Sequence, residues 1–316
     1  MLFGLLSSYK RPITNTLCGT TKARASLGID NLGQYKMMDP AFQPGGSSIV
    51  TIQCAAAGKH PFYIHEGEIN NWVCNNGGEK KVTAVILHVL SSTPYPGLVL
   101  DVGSNFGYYG LLAMKMGFES LLFDLQPECH QRINNAIVVN QFQALGRVVP
   151  FGVSNIEASF RVPSTGCNGR FPASAHEQNK FNHGDSVAHV YPLSKFIDDD
   201  QHVLLMKVDT EGNERNVLEG AMPYFSRRLV SNAIVEVTPG SDFWKHVNIT
   251  REQVAETFSR IANYGYTMIS LHDWSIHDTP AEVHSYIMNA DFGQSDVWLT
   301  DHAVNASEML GIKALV

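Results

Sequence analysis

Long apolar runs, a positive net charge and closely spaced cysteines are all missing from this sequence of 316 residues. No run approaches the roughly 20 apolar residues of a membrane-spanning helix, and the opening MLFGLL is too short and lacks a preceding charge for a secretory signal. The formal net charge of −7 supplies no basic field for nucleic acid. We therefore expect no membrane span and no nucleic-acid partner.

Cysteine is scarce and scattered. The chain has five, an odd number without a C-x-x-C pair, at Cys18, Cys54, Cys74, Cys129 and Cys167. This pattern indicates neither a disulfide framework nor a zinc cluster. We expect reduced thiols and a cytoplasmic location.

The amino terminus is basic. Residues 1–36 carry five lysines and arginines against one aspartate, together with many serines and threonines. An organelle transit peptide and an ordinary unpacked arm both have this composition. We divide the chain into an amino-terminal extension, residues 1–45, and one folded domain, residues 46–316.

From about residue 79 the sequence alternates short apolar runs with helical patterns, which is typical of an α/β protein with a mostly parallel sheet. The predicted strands are 98–102, 121–124, 148–151, 203–208 and 233–237, preceded by 48–53 and 62–65 and followed by 266–271 and 296–299. An antiparallel arrangement is open for the last two. The predicted helices are 80–89, 108–116, 127–140 and one that starts at Thr250, where Thr250 and Gln253 form a capping box.

A glycine-rich turn follows the first strand of this series, in LVLDVGSNFGYYG at residues 98–110. Its spacing, G-x-x-x-G-x-x-G, lacks the close glycine pair of a dinucleotide-binding turn. Gly103 allows a tight turn, Gly107 leaves room for a ligand, and Asn105 tolerates a left-handed conformation. Asp101 favours a ligand with a positive group, such as S-adenosylmethionine, which has an ammonium and a sulfonium and no phosphate. The alternative is a turn whose glycines serve only close packing.

Asp124 ends the next strand, 21 positions after Gly103. A carboxylate at this place accepts hydrogen bonds from both hydroxyls of a ribose. Asp124 therefore predicts nucleoside binding without choosing between S-adenosylmethionine and a nicotinamide cofactor. The alternative is a solvated acid at a strand end.

A second acidic stretch is LLMKVDTEGNERNVLEGA, residues 204–221. Lys207 and Asp209 share one face of an apolar strand, and because buried lysines are rare unless paired, we expect Glu236 on the adjacent strand as a partner. With Glu211, these residues would follow the carboxyl edge of the sheet, where open α/β folds bind their ligands.

This stretch has a structural alternative, in which Asp209 or Thr210 caps a helix whose dipole Glu211 and Glu214 complement. A carboxylate in a first helical turn is a weak base. We therefore expect Asp209 to position groups or face the sulfonium, and Glu211, Lys207 or His272 to remove a proton. Two carboxylates at this edge could also hold Mg²⁺.

Residues 163–186 are rich in Gly, Asn, Ser and His and show no period. A structureless insert of this length is either a lid or acceptor-binding loop, or a surface loop without a function of its own. The side chains that would bind a sugar or an aromatic acceptor around it are Phe171, His176, Phe181, His183 and His189.

The segments DVGSNFGYYG, FDLQPE and KVDTEGNERNVLEGA, in this order, resemble the FkbM family of S-adenosylmethionine-dependent methyltransferases over roughly residues 60–300. The resemblance implies a Rossmann-like class I methyltransferase fold with seven strands, and methyl transfer to a hydroxyl on a sugar, glycan or natural product. It assigns the cofactor turn to Asp101, Gly103, Ser104, Asn105 and Gly107, the ribose to Asp124, and the acidic motif to Lys207, Asp209, Glu211, Gly212 and Glu214. The family commonly has Glu-Pro where this chain has Asp124-Leu125, a change that keeps the carboxylate.

Two other functions remain open at this stage. A nicotinamide-dependent oxidoreductase is disfavoured by the glycine spacing, and a non-catalytic methyltransferase-like binding module would be favoured by loss of the acids at 101 and 124, both of which are present. The methyltransferase interpretation requires no metal.

Overall fold

The computed structural model describes residues 49–52, 62–65, 79–93, 97–162, 166–167 and 186–316. The basic segment 1–36 and most of the 163–186 insert lie outside these described residues, as do four of the five side chains considered there for acceptor binding. The domain boundary at residue 46 stays a prediction. Within the described ranges, no helix combines the length and the apolar character that crossing a membrane requires.

Thirteen strands are present in the described ranges. They are β1 (Ile49–Ile52), β2 (Phe62–His65), β3 (Leu98–Val102), β4 (Glu119–Phe123), β5 (Gly146–Val149), β6 (Gly152–Val153), β7 (Ala158–Val162), β8 (Ser186–Tyr191), β9 (Val203–Val208), β10 (Val230–Val237), β11 (Thr267–Ser270), β12 (Ile276–His277) and β13 (Ser295–Thr300).

The main sheet has the strand order β12-β11-β13-β10-β9-β3-β4-β5. The five strands from β10 to β5 are parallel neighbours, while β13 is antiparallel to both β10 and β11. This confirms the predicted α/β class and the mostly parallel sheet. Of the two late strands, β13 runs against the parallel strands, whereas β11, antiparallel to β13, runs in their direction. Seven strands correspond to the expected sheet, and the two-residue strand β12 extends its edge.

Helices cover both faces of this sheet. They are α1 (Lys80–Ser92), α2 (Tyr108–Lys115), α3 (Pro127–Val139), α4 (Glu214–Ser226), α5 (Phe243–His246), α6 (Arg251–Asn263), α7 (Pro280–Asn289) and α8 (Ala306–Lys313). The predicted capping box at Thr250 and Gln253 is present at the start of α6, and Pro127 occupies the first turn of α3. Two buried apolar clusters lie on the two sides of the sheet, which is why the central strands are apolar at nearly every position.

Two strand bounds differ from the prediction for identifiable reasons. β5 ends at Val149, because Pro150 has no N–H to donate to a neighbouring strand. β10 begins three residues early, at Val230, and includes the polar Asn232. The Asn232 amide donates to the Leu204 carbonyl and accepts from the Trp298 indole N–H, so that a buried polar residue is satisfied inside the sheet.

A small three-stranded sheet of order β6-β8-β7 was not predicted. β7 and β8 pair antiparallel, with Val162 opposite Ser186. Residues 163–185 of the predicted insert therefore connect two paired strands.

The expectation of reduced thiols throughout the chain is wrong for one pair. Cys129 and Cys167 form a disulfide with their Cα atoms 4.9 Å apart, although 38 positions separate them in sequence. The sequence offered no spacing signal, because the chain passes through β5 to β7 before returning to the first turn of α3. Both cysteines are buried.

Candidate functional site

The glycine turn joins β3 to α2 and abuts the end of β9. Gly103 has φ +81°, and a Cβ at this position would lie 1.7 Å from the backbone oxygen of Asp209. The backbone N–H groups of Gly103 and Ser104 both donate to the carbonyl of Phe123, at 2.9 Å each. Glycine is therefore required at 103 by conformation and by close approach of two strand ends.

The other predicted turn residues divide into two groups. Asn105 has φ 51°, as expected of a residue that tolerates the left-handed region, and lines the pocket described below. Asp101 and Ser104 are buried behind the turn. The Asp101 carboxylate accepts from the Gly110 N–H at 2.8 Å, and the Ser104 hydroxyl donates to the Asp101 carbonyl at 2.6 Å. Gly107, also at φ +81°, immediately precedes α2.

Asp124 follows β4 and faces the same pocket. Its two carboxylate oxygens accept one backbone N–H each, from Gln126 at 2.8 Å and from Asn105 at 2.9 Å. The backbone of Leu125 also stabilises this carboxylate. A carboxylate has about four lone-pair sites, so these backbone bonds leave acceptor capacity for a ligand hydroxyl. Burial raises the pKa of Asp124 to about 6, and the backbone hydrogen bonds limit the rise.

Lys207 is buried near the end of β9, as its apolar strand predicted. The ammonium lies 3.2 Å from the Asp209 carboxylate and 3.6 Å from that of Asp296. Glu236 attracts Lys207 from farther away and accepts a hydrogen bond from the Gln294 amide. The predicted partner is thus part of the cluster, but the ion pairs are made by Asp209 and by Asp296, which the sequence did not indicate.

Burial and the neighbouring charges shift the pKa values of the groups in this cluster. Burial alone would lower the pKa of Lys207, but Asp209 and Asp296 outweigh that effect and hold it well above its usual value. Burial raises the pKa of Asp296 to about 7 and that of Asp101 to about 6, and it places the pKa of Glu236 well above normal, with Asp209 and Glu214 adding to the shift. Lys207 therefore stays an ammonium, unsuited to act as a base at neutral pH.

Residues 210–213 form a loop between β9 and α4. The predicted helix cap at Asp209 or Thr210 is wrong, since α4 begins at Glu214 with Asn213 before it. The buried Glu214 carboxylate accepts from the backbone N–H groups of Thr210 at 2.8 Å and Gly212 at 3.0 Å. These bonds hold Glu211 between them at φ 56°, on the wall of the pocket.

The pocket lies at the carboxyl ends of β3, β4 and β9. Its polar wall includes Asn105, Asp124, Asp209, Glu211 and Asn216. The apolar part of its wall includes Leu125, Val153, Ile156, Phe160, Val162 and Val190. Four of these six residues lie on strands of the small sheet. Among the described residues that line the pocket, three are carboxylates and none is basic.

The sequence did not indicate the apolar wall. Phe160 and Val190 lie on strands whose alternating pattern is short and adjoins a polar insert. The period-2 pattern of ASFRV and SVAHVY is the signal that could have found them.

His272 is not brought to this pocket. It lies just after β11 in a second cleft, where its ring stacks on Phe292 with centroids 4.7 Å apart. Tyr286 and His277 form a second ring pair in the same cleft, with centroids 4.5 Å apart, and Asn289 also lines it. Both β11 and β10 are antiparallel to β13, so this cleft opens at the same edge of the sheet as the first pocket, three strand spacings or roughly 14 Å beyond β9.

Metal binding has no support in the described part of the chain, where no three His, Cys, Asp or Glu side chains are arranged to hold an ion.

A family model described as the methyltransferase FkbM domain matches residues 101–268, more than half of the chain. No curated protein matches the chain significantly. Solved structures that resemble it include a TehB-like SAM-dependent methyltransferase from Corynebacterium glutamicum, with 13% identity over 73% of this chain and 92% of that one at a TM-score of 0.34.

A second structure is the StiE O-MT, with 12% identity over 79% of this chain and 83% of that one at a TM-score of 0.37. A third is precorrin-6y C5,15-methyltransferase from Geobacter metallireducens, with 8% identity over 69% of this chain and 89% of that one at a TM-score of 0.33. At such low scores these likenesses carry no argument about the reaction.

Proposed function

Because the chain belongs to the FkbM methyltransferase domain family, we propose that it is an S-adenosylmethionine-dependent O-methyltransferase acting on a hydroxyl of a sugar or glycan. The observation that carries the cofactor assignment is the charge of the pocket. Three carboxylates and no basic side chain among its described lining residues suit a ligand that is cationic at its reacting end. A pyrophosphate would meet only repulsion from these groups.

The lining residues also fit the parts of this cofactor. The remaining acceptor capacity of Asp124 would bind the ribose, and the apolar wall from Leu125 to Val190 would hold the adenine. Asp209 and the left-handed turn at Gly103 lie at the opposite end, where the ammonium and sulfonium would be favoured by a carboxylate. The cofactor would supply an activated methyl group for in-line displacement.

The residues of the acidic loop provide the proton transfer. We place Asp209 as a positioning group, because its carboxylate is already engaged by the Lys207 ammonium. Glu211 lies on the pocket wall and is held in place by the hydrogen bonds of Glu214 to its two neighbours. Glu211 would accept the hydroxyl proton as the oxygen–methyl bond forms, while alignment and exclusion of water supply most of the rate.

The second cleft supports a glycan as the acceptor. Sugar rings have apolar faces that stack on flat side chains and hydroxyl rims that bond to carboxylates and amides. The cleft offers the stacked pair His272–Phe292 together with Asp273, Asn289 and Asp291. Because it opens at the same edge as the first pocket, a short sugar chain could place one unit at Glu211 and another at His272.

The cofactor assignment is tested by calorimetric titration of the protein with S-adenosylhomocysteine and, separately, with NADH. We expect binding of S-adenosylhomocysteine alone and a loss of about tenfold or more in Asp124→Asn, since hydrogen bonds to a charged group contribute about 1.5–3 kcal/mol. Asp200→Asn, which removes an exposed acid remote from the pocket wall, is the matched control. Binding of NADH alone would overturn the proposal.

The reaction class needs a separate assay. Methyl glycosides and short oligosaccharides are offered with isotopically labelled cofactor, and the product is analysed for the methylated atom. A methyl ether on a sugar oxygen supports the proposal. Label found only on nitrogen or carbon of other acceptors in the same assay would contradict O-methylation while leaving the cofactor assignment intact.

A further inference from the structure

The disulfide adjoins the first pocket at the residues that hold Asp124. Cys129 lies in the first turn of α3, two positions after Pro127, and Cys167 belongs to the short described piece of the insert. The N–H of Gly166, next to Cys167, donates to the Glu128 carboxylate, next to Cys129. Residues 166–167 are thus fixed to the start of α3 by one covalent bond and one hydrogen bond.

Each sulfur of the pair touches an amide side chain. Cys167 Sγ lies 3.5 Å from Asn105 Oδ1, and Cys129 Sγ lies 3.4 Å from Gln126 Oε1. Asn105 and Gln126 also bind the Asp124 carboxylate through their backbone N–H groups, one to each oxygen. Two independent paths therefore lead from the disulfide to the same carboxylate, one through each oxygen.

We propose that the Cys129–Cys167 disulfide is a positioning device for Asp124, and that the affinity of this protein for its nucleoside cofactor depends on the redox state of the pair. The inference rests on the proposed function in taking Asp124 as the ribose-binding group. The new element is that a covalent bond between residues outside the pocket wall determines how accurately Asp124 is positioned.

The redox step is an ordinary thiol–disulfide exchange with a dithiol. One thiolate of the dithiol attacks a sulfur of the pair and forms a mixed disulfide, and its second thiol then displaces the other cysteine. The protein gains two electrons and two protons, which yields two cysteine thiols, and the dithiol becomes a cyclic disulfide. The S–S bond to the insert is lost, and each new S–H is a donor that the disulfide lacked.

These changes act on the groups around Asp124. The amide oxygens of Asn105 and Gln126 then face rotatable thiols, which can donate a hydrogen bond to them but no longer tie Cys167 covalently to α3. The backbone N–H groups that orient the two carboxylate oxygens are then less constrained. We expect binding to weaken chiefly where the ribose hydroxyls contribute.

The experiment titrates oxidised and dithiothreitol-reduced protein with S-adenosylhomocysteine and with its 2′-deoxy analogue. Mass spectrometry after alkylation establishes the state of Cys129 and Cys167, and circular dichroism establishes that both forms are folded. The expected result is about tenfold weaker binding of S-adenosylhomocysteine after reduction, a change of 1.4 kcal/mol, with recovery on reoxidation. Discrimination against the 2′-deoxy analogue should decrease as well, whereas a general loosening of the pocket would weaken both ligands equally.

Two variants complete the test. Cys129→Ala/Cys167→Ala should bind like the reduced protein and no longer respond to dithiothreitol. A variant with Cys18, Cys54 and Cys74 changed to alanine should keep the full response. Equal affinities of the oxidised and reduced forms, or alkylation of Cys129 and Cys167 before reduction, would overturn this inference alone. Absence of S-adenosylhomocysteine binding in both forms would overturn it together with the proposed cofactor.

Discussion

Lys207 and Asp296 lie on strands that are not neighbours, yet the ammonium of one is 3.6 Å from the carboxylate of the other. Strand β10 lies between them and contributes Glu236 to the same cluster. One buried cation therefore faces carboxylates from three adjacent strands at the edge where ligands bind. The cluster fixes Asp209 at the pocket, and its excess of acid makes it sensitive to pH.

Lys207→Met should destabilise the protein strongly, because it leaves buried carboxylates without their counter-ion. Breaking a buried pair costs about 3–5 kcal/mol. We expect a loss of about 3 kcal/mol in the free energy of unfolding at pH 7.5, measured by urea denaturation, and a smaller loss at pH 5.5, where Asp296 is protonated. Lys195→Met, which removes a surface pair with Glu157, should cost less than about 1 kcal/mol. A loss of equal size at both pH values would show that the carboxylates are not responsible.

The central strands and the two ligand-binding strand ends could be predicted from the sequence for physical reasons. Strands buried on both faces are continuous apolar runs, and a tight turn at a strand end requires glycine, so β3, β9, Gly103 and Asp124 were recognisable. Asp296 was not, because an acid at the first residues of a late strand resembles a solvated terminus. Only the pairing of β13 with β10 reveals that it faces Lys207.

The remaining parts of the site depend on long-range contacts. The disulfide joins two cysteines that are 38 positions apart in sequence and are separated by strands β5, β6 and β7. No spacing rule predicts such a pair. Phe160 and Val190 line the pocket only because β7 and β8 pair across the insert. His272 has a residue type suited to proton transfer, and only the strand order shows that it lies beyond the cluster.

Asp296→Asn should change the pH dependence of stability in a known direction. The folded-state pKa of Asp296 is raised to about 7, chiefly by burial, from an ordinary value of 3.8. Between these values the folded protein keeps a proton that the unfolded chain has lost, so this group lowers the free energy of unfolding as pH rises through that window. The difference between Asp296→Asn and wild type should therefore shift in favour of the variant by about 2 kcal/mol from pH 5 to pH 7.5. A constant difference would contradict the raised pKa.

Gly103→Ala should abolish cofactor binding as well as reduce stability. The new Cβ would lie 1.7 Å from a backbone oxygen, and the residue that carries this oxygen is Asp209 of the pocket. Gly117→Ala is the matched control, since Gly117 has a similar φ of +92° and open space around it. The control should lose only about 1–2 kcal/mol, the cost of a left-handed conformation, and should bind S-adenosylhomocysteine normally. Normal binding by Gly103→Ala would show that this contact does not shape the pocket.

Glu211→Gln should separate chemistry from cofactor binding. The amide keeps the shape of the side chain but cannot accept the hydroxyl proton, so kcat should fall by about 10²–10⁴ while the Kd of S-adenosylhomocysteine stays near the wild-type value. Methyl transfer to methyl glycosides is measured alongside calorimetric titration. Glu252→Gln, at an exposed position in the first turn of α6, should change neither quantity. A kcat that remains at the wild-type level would place the base elsewhere.

His272→Ala should distinguish a distal sugar-binding role from a catalytic one. His272 stacks on Phe292 about three strand spacings from β9, too far to take a proton from a hydroxyl beside Glu211. We therefore expect a raised KM for a trisaccharide acceptor with little change in kcat, and no effect on a methyl monosaccharide, which cannot span the two clefts. His246→Ala removes an exposed histidine outside both clefts and is the control. A fall in kcat of a hundredfold or more with both acceptors would instead indicate that His272 moves into the reaction as its base, because loss of a distal contact weakens binding without slowing the chemical step.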